Sequence, residues 1–262
     1  MKTNYVPLDK EKHSALKVSV QHGFEFAKET HLASATMREF AQIASCMPIA
    51  FIKDQPKGSF HTIAMLGLEQ NSNMYFNDNK WVGHVMPLNI QRYPFDVRPD
   101  GDKLGVFIDE NSPLVGEEGE SLFTEAGEPS DYLKNRQELL GEIANSEMIT
   151  QRFVAKVVEL GLLDPLQLNV QYASGETRNV TGVFTINEKR VNELSDEVTL
   201  ELKKSGFLGA IYTVMLSLAQ LNRMVQLSST TDKPIRAIQM KLIDENAAEA
   251  ETAPAAEKSP AE

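Results

Sequence analysis

The sequence predicts an α+β fold: a mixed, largely antiparallel sheet, several packed helices, and a disordered acidic C-terminal tail. Three observations lead there. Leu166, Leu168, Val170 and Tyr172 alternate with Gln167, Asn169 and Gln171, the period of a strand with one buried face. Phe207, Ile211, Val214, Leu218, Leu221 and Val225 recur at steps of four and three, which is one stripe of a helix. From Asp244 onward the chain carries six acids, one lysine and mostly Ala and Pro, a composition that buries too little surface to fold. The body is therefore placed at 1–243, with a sub-boundary suggested near 110–130, and the tail at 244–262.

The elements follow in order. Residues 16–20 alternate with period two and predict a strand. Residues 36–44 predict a helix with Met37, Phe40, Ile43 and Ala44 on one side and Pro48 ending it. Two apolar runs, 49–53 and 60–68, flank the turn sequence Asp54-Gln55-Pro56-Lys57-Gly58 and predict a strand pair. A hairpin is predicted where Asn77-Asp78-Asn79-Lys80 separates Met74-Tyr75-Phe76 from Trp81-Val82, and a further strand at 104–109. Residues 109–131 hold eight acids and no base, with three Gly and two Pro; they read as a solvated loop. The run lacks the spaced Asp ligands, central Gly and distal Glu of a calcium loop.

Pro129-Ser130-Asp131 suits a helix start. Beyond it Leu133, Leu140, Ile143 and Ala144 form one stripe and Phe153, Val157 and Leu160 another. The two are out of phase, which predicts two helices or a bend around Asn145-Ser146-Glu147. The alternating strand at 166–172 turns through Ala173-Ser174-Gly175-Glu176 into 180–186. Next come a helix capped by Asn187 or Ser195 that ends near Ser205-Gly206, and the buried helix already described. Ile238, Met240 and Leu242 make a last strand.

Charge narrows the function. A net −11 and a pI near 5.0 oppose broad nucleic-acid binding, which needs clustered Lys and Arg, and oppose docking on an anionic membrane. The N-terminal residues carry charges where a signal peptide would be apolar. Residues 205–222 are uncharged, but the strongly apolar part spans 13 residues, short of the roughly 20 that cross a bilayer. A soluble cytoplasmic protein without membrane insertion is expected. Cys46 is the only cysteine and sits among apolar residues without a nearby base, so an inert core thiol is expected.

Catalytic signatures are missing. The sequence has no Gly-rich phosphate loop, no Gly-x-Ser-x-Gly elbow and no His-Glu-x-x-His helix. The five histidines have no ligand spacing on a helix; the alternatives for His22, Glu25, Glu29 and His31 are a metal site assembled by folding and ordinary side chains, of which the second is favoured, and neither metal nor cofactor is expected. The densest unusual segment is 81–95. It supplies the ligand-binding candidates Trp81, His84, Arg92, Tyr93 and Phe95, because a guanidinium flanked by aromatics can stack or read an anion. The structural reading of the same residues has the rings in the core and Arg92 pinning a loop.

At this segment the chain resembles the SapC family of bacterial proteins. The matching features are Met47-Pro48-Ile49-Ala50-Phe51, Ala64-Met65-Leu66-Gly67-Leu68, Trp81 with Pro87, and Arg92-Tyr93-Pro94-Phe95. Gly119-Glu120-Ser121-Leu122-Phe123 with Gly127, and the helix at 206–227 with Ser217-Leu218, complete the set. Val85-Met86 and Cys46 depart from it, standing where the family has a Tyr followed by a β-branched residue and an aromatic. The resemblance implies a link to a locus for a paracrystalline surface layer and its export, and supplies no catalytic residues. A transporter permease shares the name, and the hydropathy above opposes that label here. The function expected is a non-enzymatic cytoplasmic accessory protein that binds a protein partner or small ligand. Two alternatives stand beside it: an enzyme or small-molecule binder with a site built from His61, His84, Arg92 and an acid, and a structural component of the surface layer.

Overall fold

The computed structural model describes residues 3–20, 24–101 and 103–243. The tail at 244–262, read as disordered, and His22 lie outside the described residues. The main sheet has six strands in the order Ile235–Leu242, Leu163–Tyr172, Thr177–Ile186, Ile49–Lys53, Phe60–Met65, Leu32–Ser34, and every neighbouring pair is antiparallel. Leu163–Tyr172 and Thr177–Ile186 form the central hairpin, and their turn places Gly175 at φ 91°. Their register slips between Leu166 and Leu168. Gly182, at φ 85° on the facing strand, supplies the left-handed residue that a bulge of this kind requires.

The buried face of this sheet, including Leu166, Leu168, Val170 and Tyr172, meets helices Phe207–Ser217 and Leu221–Ser228 and the C-terminal half of helix Asp131–Glu159. Phe153 is the hub, with the rings of Phe40, Phe51 and Phe207 centred 5.6 to 6.2 Å away. One polar tie joins helix Phe207–Ser217 to the sheet. The buried Ser217 hydroxyl accepts the Ile49 N–H at 2.8 Å and donates to the Val214 carbonyl at 2.6 Å. It satisfies a strand-end donor that the sheet leaves open.

A second, smaller core holds Val18, Phe95, Ile108, Leu122, Leu133 and Leu140. It is built from the sheet Tyr5–Pro7, Lys103–Asp109, Phe95–Asp100 and from the short strands Val115–Gly116, Lys17–Val18, Glu120–Ser121, together with the first half of the long helix. That helix corrects one of the two sequence expectations, a division into two helices. Asp131–Glu159 is one element of 29 residues with no break at Asn145-Ser146-Glu147. Its two stripes are out of phase because they serve different cores: Leu133 and Leu140 face the small one, Phe153, Val154 and Val157 the large one. At the crossover Ser146 and Thr150 are buried, and their hydroxyls accept the Arg38 and Met37 N–H groups at 3.4 and 2.9 Å.

Other departures are local. The strand expected at 16–20 shrinks to Lys17–Val18, and the helix at 36–44 begins as the 3-10 turn Met37–Glu39 before Phe40–Ile43. The buried helix breaks into a 3-10 turn at Leu218–Gln220. The acidic stretch is largely exposed but ordered, since two of its segments clamp Lys17–Val18. Gly119 is required there: at φ 114° a Cβ would lie 2.3 Å from the Val18 carbonyl oxygen. Strands Tyr5–Pro7, Leu32–Ser34 and Phe95–Asp100 were not foreseen from the sequence.

Candidate functional site

The segment singled out by sequence starts in the hairpin Phe76–Asn77/Lys80–Trp81, whose two-residue turn holds Asp78 and Asn79 at φ 48° and 60°. Asp and Asn tolerate that left-handed geometry better than other side chains with a Cβ. Trp81 is half-buried against the main core. Its indole N–H donates to the Val85 carbonyl at 3.0 Å, and its ring stacks on Tyr75, whose hydroxyl donates to the Cys46 carbonyl at 2.5 Å. Burial pushes the Cys46 thiol up, which suits a packed and unreactive sulfur. His84 is exposed, with Nε2 3.0 Å from the Ser45 hydroxyl.

The chain then forms the short helix Leu88–Gln91 and delivers Arg92 and Tyr93 to a different environment. Arg92 Nη1 lies 2.6 Å from Asp96 Oδ1, while Asp96 Oδ2 accepts from Arg98 Nε at 2.8 Å. The Arg98 guanidinium in turn lies over the Tyr5 ring, 4.2 Å from its centre. Tyr93 donates its hydroxyl to Asp109 Oδ2 at 3.1 Å and stacks on Phe26 with centroids 4.3 Å apart. Asp109 is fully buried and its Oδ1 also accepts the N–H groups of Asn4 and Asn111 at 2.7 and 3.2 Å. Burial, then the charges of Asp96 and Asp109, pushes the Tyr5 phenol up to about 12. Burial also raises Tyr93, with Asp109 adding to the effect. Both phenols thus stay protonated at neutral pH and remain hydrogen-bond donors.

These side chains bound an open cleft of about 490 Å³. Tyr5, Phe26, Ile90, Arg92, Tyr93 and Asp109 line it, together with the exposed Glu25, Lys28 and Glu29. Such a cleft presents two phenol oxygens, one edge of a guanidinium and an apolar wall, which is the equipment for holding a small polar organic molecule in one orientation. Of the five sequence candidates, Arg92 and Tyr93 line it. Trp81, His84 and Phe95 do not, and Phe95 is buried in the small core, 6.3 Å from the Tyr132 ring.

Sequence reasoning missed Tyr5, Phe26, Asp96 and Asp109. Asp96 had a legible signal, an acid four residues after Arg92; the others come from distant segments. The residues of the alternative catalytic set do not gather at this cleft. His61 is exposed with Nε2 3.2 Å from the Ser59 hydroxyl, and neither it nor His84 lines the cleft. Among the described residues no three His, Cys, Asp or Glu side chains are grouped to hold a metal, and no helix is long and apolar enough to cross a membrane.

The family model of SapC matches residues 8–224, most of the chain including the cleft's Arg92 and Tyr93. This chain belongs to the SapC family. No curated protein and no solved structure matches it.

Proposed function

We propose that this SapC-family protein is a non-enzymatic cytoplasmic accessory protein. In this reading it binds a small polar ligand in the cleft at Arg92 and Tyr93 and serves a surface-layer or cell-envelope function. The observation that carries the reading is how Arg92 and Tyr93 are held. Arg92 is tied to Asp96, and Tyr93 to a fully buried Asp109. Groups held this way orient a ligand well, but they are poorly placed to exchange protons with one, because each is already committed to a partner. His61 and His84 stand elsewhere, each beside a serine hydroxyl. The surface-layer link rests on what the family resemblance implies.

Replacement in cells tests this reading. Arg92→Ala is expected to abolish the surface-layer or envelope phenotype, while His61→Ala and His84→Ala leave it intact. Loss of the phenotype in either histidine variant, with Arg92→Ala behaving as wild type, would contradict the proposal and favour a scattered catalytic site.

A further inference from the structure

Arg92 also lines a second cleft, of about 460 Å³, whose walls are of two kinds. One is apolar: Leu104 and Met148 are 60% and 56% exposed, beside the half-buried Val97. The other carries the carboxylates Glu39, Asp96 and Glu147. Asp96 is neutralised by its two arginines. Glu39 is not. It is only 2% exposed, and its carboxylate accepts the N–H groups of Thr36 and Leu88 at 3.0 and 2.8 Å and the Thr36 hydroxyl at 3.4 Å.

Those contacts staple two short helical turns together, yet none brings a positive charge. Among the described residues no Lys or Arg forms an ion pair with Glu39; its neighbour Arg38 is paired with Glu142. Burial accordingly pushes the Glu39 carboxyl up. A buried anion without a counter-ion is costly, and a cation delivered to it from outside recovers part of that cost.

We propose that this second cleft binds the ammonium group of an aliphatic amine, with the charge directed at Glu39 and Glu147 and the methylene stem lying along Leu104 and Met148. The mixed walls select for that chemistry. A small hydrated cation gains nothing from the exposed Leu and Met, and a neutral alkane leaves Glu39 uncompensated. An ammonium on a flexible apolar stem satisfies both. The source of such a group is either a free diamine or a lysine side chain of a peptide.

Calorimetric titration of the folded chain tests it, with n-hexylamine as the probe and 1-hexanol as its neutral counterpart. The amine is expected to bind about tenfold or more tightly than the alcohol, the scale of one charge-assisted contact. Glu147→Gln is expected to weaken amine binding several-fold. Met148→Lys, an exposed position that brings its own ammonium to the cleft, is expected to abolish it. These two variants avoid the helix-stapling Glu39, so the test does not depend on a variant that disrupts the fold. Parallel titrations with 1,5-diaminopentane and with N-acetyl-lysine amide distinguish the two sources. Absence of amine binding, equal binding of amine and alcohol, or wild-type affinity in both variants would overturn the proposal.

Discussion

Asp109 and Glu110 are adjacent, yet they do different work. Asp109 faces inward and fixes Tyr93, while Glu110 gathers Asn4, Lys12 and the fully buried His13 at 3.2, 2.6 and 3.2 Å. Together they fasten the N-terminal strand that supplies Tyr5 to the cleft. Hydrogen bonds from Lys12 and His13 hold the Glu110 carboxyl below the usual glutamate value. A carboxylate depressed in the folded state adds stability above its unfolded pKa, and that stability is lost as pH falls through the folded one. Glu39 has the opposite sign, so the whole-protein acid curve mixes the two and a single-site comparison is needed. Glu110→Gln is expected to be less stable than wild type at pH 7, with the gap closing as the pH drops below about 4.5. Denaturant unfolding at stepped pH measures it; a gap that stays constant to pH 3 would show that the charge on Glu110 is irrelevant. None of this was legible in the sequence, because Asn4 and Glu110 are 106 residues apart and an acidic stretch shows no sign of which acid turns inward.

Among the elements, the long helix Asp131–Glu159 shows what periodicity reveals and where it misleads. Both apolar stripes were readable, and both are buried. Their change of phase, about a third of a turn, suggested a break because one stripe per helix is the usual arrangement. The helix instead runs unbroken from one core to the other, and the buried Ser146 and Thr150 mark the handover. The hairpin Leu163–Tyr172/Thr177–Ile186 was readable for the complementary reason: its turn and its alternation are local. Strand Phe95–Asp100 was not, since it contains Pro99 and its partner is identified only once the fold is known. Asn145→Pro tests the continuity of the helix. Asn145 is exposed, so the substitution perturbs the helix rather than the packing. A proline inside a continuous helix costs about 3 kcal/mol or more. A loss well under 1 kcal/mol by denaturant unfolding would indicate that the helix is already broken there.

At the scale of the whole molecule, two cores share a helix of about 43 Å, and the candidate cleft lies where segments tied to each core meet. Arg92 and Tyr93 follow a short helix whose Ile90 packs in the main core, while Tyr5 and Asp109 belong to the sheet of the small one. Half of the cleft was therefore legible: the Arg92-Tyr93 pair stood out by composition, and the residues facing it were hidden by sequence distance. The same logic separates Trp81 and Phe95 from the cleft, since large rings in this chain are used first to fill the two cores. Thermal-shift screening of polar small molecules against wild type, Arg92→Gln and Tyr93→Phe tests the central claim most directly. A ligand at a hundred times its Kd adds about 2.7 kcal/mol of stability, a shift of several degrees. The account predicts at least one compound that raises the melting temperature of wild type and has little effect on either variant; compounds that stabilise all three proteins equally, or none that stabilises wild type, would contradict it.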